Sequence, residues 1–578
     1  MEVTKPIIQY SPLNNCYLKE TKERISSLST VSQVLIKHNY YRDSLQLLRI
    51  SDNIKHNAGI LEASVIMGTK TNKDILVKLG FPVARVNQAK ESDAIIAIRA
   101  QDKKSLDYAM TKLNEVLEGK QDKATANKMI KNRTGDLNSA LKAMPDVNLA
   151  LISIPGEYVR DLAFKLIDAG IHQQIFSNHV SLEDELIIKK HAAENNVLVL
   201  GPEAGTSIIN SKGIGFSNSL QMGPVGIVAA AGTGLQEVST LLDHCGIGVK
   251  HGLGVGGNDP KEMIGGLMML NSIKVLENTN DIQVIDIVSK PPSPSVQDKV
   301  IDYIVQKGKK KYVITFIGGS ESKGKKSHID KRKIIQTNSL ASSVLAIAKQ
   351  LGNSQFKNAL DNIFIRPEVL AKALQKEWKK LQKDQKYIRA LYTGGTFTYE
   401  TQVVLSGAGL KDIYSNTPIT NAMSLPNPST SLKNSVIDLG EEEFTRGRAH
   451  PMIDPTIRKL RLIDEASDLG VAVIILDFVL GYGSNQDPVG AIVDEINEVK
   501  MTAEKDGRYL SIVTHVCGTR KDLQDYEGSI NRLKNSGCIV LPTNCLAAVA
   551  SAIISSRNKI NLEKIYSSYL EIGNNYID

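Results

Sequence analysis

A multidomain α/β architecture with parallel sheets follows from three features of the sequence. The chain has 578 residues, enough for roughly three or four domains of ordinary size. Short apolar strands alternate with helical stretches over 147–222, a pattern that favours parallel strands joined by right-handed crossovers. The order strand, Gly-Thr turn, helix then appears in 223–350 and again in 387–578.

The elements run as follows. Residues 1–35 are polar and weakly patterned and are expected to form an extension. Residues 36–140 read as a small N-terminal α/β domain: strand Ala63–Met67 enters the turn Gly68-Thr69, a helix follows over 72–79, Asp93–Arg99 is a second apolar strand, and 101–140 is helical and charged. In 141–222 the strands Val147–Ile154, Ile175-Phe176 and Val197–Leu200 alternate with helices over 156–169 and 182–194. No Gly-x-Gly-x-x-Gly follows the first of these strands, so the usual dinucleotide fingerprint is missing.

Residues 223–350 begin with the buried strand Pro224–Ala231, run into Gly232-Thr233-Gly234, and continue through strands Val249–Val255, Ile282–Ser289 and Tyr312–Ile317. A Lys-rich helical connector, 351–386, carries the one tryptophan, Trp378. Residues 387–578 repeat the plan: strand Ile388–Tyr392, turn Gly394-Gly395-Thr396, strand Val436–Leu439, then Ala472–Leu480 and Tyr509–Val516. Each copy contains Gly-Thr-x-x-x-Glu and, later, Asp-Pro. We read this as an internal duplication at domain scale, with an insertion over 402–435 in the second copy.

Composition narrows the function classes. Apolar residues make up 42% and charged residues 23%, the ordinary globular range. The net charge of +8 sits partly in short lysine runs, and aromatics at 5% do not interleave with them, which argues against a nucleic-acid surface. Five cysteines, an odd number with no Cys-x-x-Cys spacing, read as reduced thiols, and no metal site is expected. The N-terminus lacks an apolar signal core, and no apolar run approaches the roughly 20 residues that span a bilayer. A cytoplasmic protein without membrane partners is expected.

Three stretches carry candidate chemistry. At the two Gly-Thr turns, Thr233 and Thr396 occupy the expected N-cap positions, with Gln236 completing a capping-box spacing. Helices starting there aim free backbone N–H groups and a positive dipole end at the sheet edge, where ligands of open α/β sheets bind. Gly232, Thr233, Gly234, Gly394, Gly395 and Thr396 are therefore candidate phosphate-binding residues, the two helix starts converging on one anion. An ordinary tight turn is the competing reading. The second stretch, Arg446-Gly447-Arg448-Ala449-His450, places two carboxylate- or phosphate-binding forks beside a proton donor, or else forms a surface loop paired with Glu441–Glu443. The third is the loop Gly256-Gly257-Asn258-Asp259: Asp259 is expected to cap the following helix, and Lys290 ends a strand at the same sheet edge.

These residues resemble the succinyl-CoA synthetase superfamily, and most closely the FdrA family, over nearly the whole chain. Residues 147–222, with Ile167-Asp168-Ala169-Gly170-Ile171 and Gly201-Pro202, are similar to a Rossmann-like CoA-binding domain. Residues 223–330, through Glu237 and Gly256–Pro260, and 387–550 are similar to two flavodoxin-like CoA-ligase domains. The resemblance departs at Lys326-Ser327-His328-Ile329, where the synthetases carry a Gly-His-Ala-Gly phosphohistidine turn. It departs again at Ala229-Ala230-Ala231-Gly232, which replaces their Ser-Arg-Ser-Gly phosphate turn, and no ATP-grasp module is visible. The resemblance implies one subunit of a hetero-oligomeric oxamate carbamoyltransferase in allantoin degradation, exchanging a carbamoyl group between oxalurate and phosphate. Arg446 and Arg448 would then hold the substrate carboxylate, and His450 would serve as acid or base. Gly256, Gly257, Asn258 and Lys290 would line the substrate, with phosphate or carbamoyl phosphate as substrate and no cofactor required, though CoA or a nucleotide has room. The alternatives are an acyl-CoA synthetase working with an ATP-grasp subunit, or a non-catalytic acyl-CoA- or nucleotide-binding subunit.

Overall fold

The computed structural model describes residues 30–42, 44–117, 134–319, 334–352, 360, 363–419 and 421–571. Most of the expected N-terminal extension, the end of the charged stretch before 134, and His328 lie outside these residues. The chain divides into two compact units: Met1–Gly135 with Arg446–Ala449, and Asp136–Thr445 with His450–Asp578.

In the first unit, β1 (Val31–Lys37), β3 (Ala94–Ala100) and β2 (Ile60–Met67) form an antiparallel sheet in the order β1-β3-β2. Helices α1 (Ser44–Lys55), α2 (Lys70–Lys78) and α3 (Lys103–Leu117) accompany it. The central strand Ala-Ile-Ile-Ala-Ile-Arg-Ala is almost wholly buried, because helices and loops cover both faces and polar alternation would strand a side chain.

The second unit starts with a small parallel sheet, β4-β5-β6, from Leu149–Ile152, His172–Ile175 and Val199–Leu200. Helix α4 (Val159–Asp168) follows β4, and α5 (Leu182–Glu194) follows β5. Ser181 caps α5 through Asp184 N, which fixes the start expected at 182. The hairpin β7 (Thr206–Ile209) and β8 (Lys212–Gly215), assigned from sequence to this domain, instead adds antiparallel strands to the next sheet. Its short strands carry no helix-length spacer, so it reads as a tail of the preceding domain until the pairing is seen.

That next sheet has the order β13-β12-β11-β9-β10-β7-β8. Its parallel core comprises β9 (Val225–Ala230), β10 (Val249–Gly254), β11 (Val284–Ser289), β12 (Lys311–Phe316) and β13 (Ile334–Thr337). Helix α6 (Gly232–His244) follows β9, α7 (Leu267–Glu277) follows β10, and α8 (Leu340–Leu351) follows β13. The second large sheet is parallel, in the order β16-β15-β17-β14-β18-β19-β20. It is built from β14 (Tyr387–Tyr392), β15 (Ile413–Ser415), β16 (Met423–Ser424), β17 (Asn434–Asp438), β18 (Val471–Val479), β19 (Ser511–Cys517) and β20 (Ile539–Leu541). Helix α9 (Gly395–Gly407) follows β14, α10 (Thr456–Ala466) precedes β18, and α11 (Asn544–Ser556) follows β20.

Counted within each copy, both cores have the order 2-1-3-4-5, the flavodoxin-like arrangement, with its ligand crevice beside the first strand where the order reverses. The insertion expected over 402–435 is smaller than the sequence suggests: 402–407 completes α9, and β15 and β16 extend the sheet edge. Among the described residues no helix is long and apolar enough to cross a membrane.

Candidate functional site at two facing helix starts

The two Gly-Thr turns meet. A methyl group added at Gly394 would lie 2.2 Å from Thr233 Cγ2, and one added at Gly234 would lie 2.9 Å from Thr396 Cγ2. Each glycine receives the threonine methyl of the other turn, and only a residue without a side chain permits that approach. The capping differs from the sequence expectation. The N-cap residues are Ala231 and Gly394, both extended and neither able to supply a side-chain acceptor. Thr233 and Thr396 are one position inside the helices, because each chain enters the helix immediately after the glycine-rich bend. The first N–H groups of both helices therefore lack a side-chain cap, and the buried Thr233 Oγ1 has no hydrogen-bond partner. Donors left unmatched at a buried helix end ask for an anion.

Titratable groups converge beside the start of α9. Asp438 ends β17 and accepts from Gly440 N at 2.8 Å, and a methyl group on Gly395 would lie 2.8 Å from its Oδ2. Burial, reinforced by neighbouring Glu441, holds the Asp438 carboxyl well above the usual range. Burial and the Glu203 and Glu443 charges likewise raise Glu441, against the pull of Lys290. Lys290 follows β11, and burial together with Lys261 pushes its ammonium down, opposed by Glu441, Glu203 and Asp438. Its Nζ lies 6.0 Å from the centre of the Tyr399 ring. His450 accepts from Met452 N through Nδ1 at 3.2 Å, so the neutral ring carries its proton on Nε2. Burial pushes it down to about 4. At neutral pH His450 is thus an N–H donor, and a methyl group on Gly440 would lie 2.6 Å from its Nε2. Groups with pKa values driven apart in one crevice suit acid–base work on a bound anion.

Of the other sequence candidates, Gly257 packs against Lys290, at 3.1 Å from a built Cβ to Nζ. Asn258 donates to Glu185 at 2.9 Å. Asp259 does cap the next helix, accepting from Met268 N and Met269 N, and it also pairs with buried Lys189. Arg446 and Arg448 fold with the first unit. Arg446 pairs with Glu91 at 3.8 Å, Arg448 is buried, and Asn72 donates to both Gly447 O and Met67 O at 2.9 Å. Gly447 has φ 73°, and a methyl group there would meet Thr69 and Met67.

Sequence reasoning missed Asp438 and Asp477, and it gave Glu441 only the role of pairing with the arginine loop. The two aspartates hide at the C-terminal ends of apolar strands, and strand-end position at a crevice was the available signal. Asp477 accepts from Thr393 N and Thr393 Oγ1, at 3.1 and 2.6 Å, which pins the residue before Gly394. Also missed was a buried group of Glu237, His515 and Cys517, with ligand atoms within 4.8 Å of one another. Its donors are committed: His515 Nε2 meets Glu237 Oε2 at 2.6 Å, His515 Nδ1 donates to Leu541 O, and burial keeps the Cys517 thiol protonated.

Fold and site define a CoA-ligase-type protein. Residues 391–554 match the CoA-ligase family, 221–318 the CoA binding domain, and 30–133 the domain described as AllF, heavy metal-associated domain. The chain belongs to the family of the Escherichia coli (strain K12) uncharacterized protein YahF, with which it is 36% identical over 509 residues, 88% of this chain and 95% of that one. It is also 27% identical over 178 residues to the succinate–CoA ligase [ADP-forming] subunit alpha of Methanothermobacter thermautotrophicus, covering 30% of this chain and 58% of that one. A third relative is the ADP-forming sulfoacetate-CoA ligase subunit SqwL of an Acholeplasma species, 21% identical over 188 residues, 31% of this chain and 62% of that one. Both ligase relatives are subunits by name. Residues 30–133 contain no cysteine, and His38 is paired with Asp93 at 3.1 Å, so this domain does not fit a soft, thiolate-held metal.

Proposed function

We propose that the chain is the acyl-handling subunit of a succinyl-CoA synthetase-like, multi-subunit ligase, and that it holds an acyl phosphate between the starts of α6 and α9. The observation that carries this reading is the face-to-face approach of two uncapped, glycine-lined helix starts around the unpartnered Thr233 hydroxyl. The phosphoryl oxygens would take the free backbone N–H groups, and the two dipoles would offset their charge. A thiolate attacking the acyl carbon would release phosphate, with the carbonyl oxygen polarised by His450 Nε2–H or the Lys290 ammonium. Named ligase subunits among the relatives favour CoA as acceptor and an ATP-using partner chain.

Carbamoyl transfer is the second reading, favoured by the AllF description of residues 30–133 and by the missing glycine frame around His328. In that reaction a phosphate oxygen attacks the carbamoyl carbon of oxalurate. The carbon–nitrogen bond breaks, and the leaving amide takes a proton to become oxamate. The same anion site and a neutral-imidazole donor serve both readings.

Calorimetric titration with inorganic phosphate tests the shared premise. Wild-type protein is expected to bind phosphate and Gly394→Ala to lose roughly tenfold or more in affinity, because the added methyl group would collide with the Thr233 side chain and force the two helix starts apart. A variant binding as well as wild type would remove the site. The complex purified with its natural partners then separates the acceptors: ADP-forming ligation of a small acid to CoA supports the first reading, and phosphate-dependent cleavage of oxalurate the second.

A further inference from the structure

Beside Thr393, the residue before Gly394, a small cavity is lined by Thr393, Met452, Arg458, Phe478, Val479 and Asn485. It lies at the C-terminal edges of β14 and β18, where the strand order of the second sheet reverses and ligands of such sheets collect. Arg458, in the first turn of α10, is only 4% exposed. Its Nη2 donates to fully buried Asp477 at 2.7 Å, and its guanidinium carbon lies 5.1 Å from the centre of the Phe478 ring. Its Nε has no hydrogen-bond partner. Thr393 and Asn485 are already held, the former by Asp477 and the latter by its own donation to Ile453 O and acceptance from Asp487 N. The unmet donor in the wall is therefore a guanidinium N–H, whose burial without an acceptor is costly.

We propose that this cavity is a carboxylate subsite: Arg458 receives the carboxylate of a short acid whose acyl or carbamoyl group is exchanged at the adjoining helix starts. The inference rests on the acyl-phosphate reading given above. Arginine is suited to the task because its planar fork can keep one nitrogen on Asp477 and offer others to a ligand carboxylate. Asp477 links the two places, bonding Arg458 on one side and Thr393, the residue before Gly394, on the other. A carboxylate arriving at Arg458 would thus be registered against the phosphate site by a single buried side chain. The cavity is small, about 20 Å³, and walled in part by Met452, Phe478 and Val479, so it would admit a carboxylate head and exclude the chain of a fatty acid.

The test is calorimetric titration of the full chain with oxamate, malonate and succinate, with the uncharged diamide oxamide as control, and with inorganic phosphate as a separate arm. Two variants are compared. Arg458→Gln removes the cation, and Met452→Trp fills the cavity while leaving the Arg458–Asp477 pair in place, so the second remains informative if the first fails to fold. Wild-type protein is expected to bind at least one of the acids and not oxamide. Each variant is expected to weaken that binding roughly tenfold or more, while phosphate affinity stays within about twofold of wild type in Met452→Trp, which keeps the Arg458–Asp477 pair. Acid binding unchanged in either folded variant, binding of oxamide as tight as that of the acids, or no acid binding by the wild type would each overturn the subsite. Loss of the phosphate arm alone would instead overturn the acyl-phosphate reading and leave Arg458-dependent acid binding standing.

Discussion

His450 is the residue whose protonation the fold controls most visibly. Burial pushes its ring down to about 4, whereas an unfolded chain titrates it near 6.5. Between these values the unfolded state binds more protons, so the stability present above pH 6.5 is lost as pH falls toward 4. By pH 5 the loss from this one ring should reach roughly 2 kcal/mol. Urea unfolding at pH 7 and pH 5 should show His450→Gln losing less stability than wild type over that interval. Equal losses in the two proteins would mean that the ring stays solvated. His450 was visible in the sequence as part of an Arg-Gly-Arg-Ala-His run, but its buried setting was not, since the groups against it come from the turn after β17, at Gly440, and from Phe216 just after β8. Lys290 shows the same limit. Its place at a strand end was legible, while the ring of carboxylates that gives it meaning arrives from 203, 438 and 441.

At the scale of elements, the repeated Gly-Thr-x-x-x-Glu pattern has a consequence that spacing alone does not reveal. Glu400, on α9 of the second half, accepts from Leu340 N at 2.8 Å and so caps α8 of the first half. Glu237, on α6 of the first half, accepts from Asn544 N at 3.2 Å and caps α11 of the second. Each half closes a helix end belonging to the other. Burial raises the Glu400 carboxyl to about 7 against the hydrogen bonds from Asn544 and Leu340, so it is held partly neutral. Glu400→Ala leaves Leu340 N unmet and takes one of two acceptors from Asn544 Nδ2, and should cost roughly 2–3 kcal/mol. Glu400→Gln retains an acceptor oxygen and should cost less than half as much. Denaturant titration of the pair checks this, and an alanine variant as stable as wild type would show that the cross-caps carry no weight. Strands and helices with strong apolar period were readable: helix 182–194 and strands such as Ala472–Leu480 stand within a residue or two of where the pattern put them. The N-cap expectation fails at the Gly-Thr turns because the last extended residues are Ala231 and Gly394, so each helix begins one residue before its threonine.

For the whole molecule, duplication was the most legible feature, since two strand–turn–helix series in the same order leave few topologies. Pairing partners were harder to see, as hairpin 206–215 shows, because a short strand can join whichever sheet has an open edge. The halves share one buried apolar cluster, in which Leu235 and Ala341 belong to the first large sheet's helices and Phe397 and Leu546 to those of the second. The first unit keeps separate clusters around Leu47 and Leu76. Differential scanning calorimetry should therefore resolve at most two transitions, one for the first unit and one for 136–571 together. A third transition would mean that the large sheets melt independently. The exchange of carboxylates between the halves extends this to assembly. Were the chain cut between its two large sheets, each fragment would present an unanswered first N–H on a helix and a stranded acid, mutually complementary and each costly alone. Such fragments should be insoluble apart and recover by finding each other, so the covalent connection governs how fast the halves meet far more than whether they stay together.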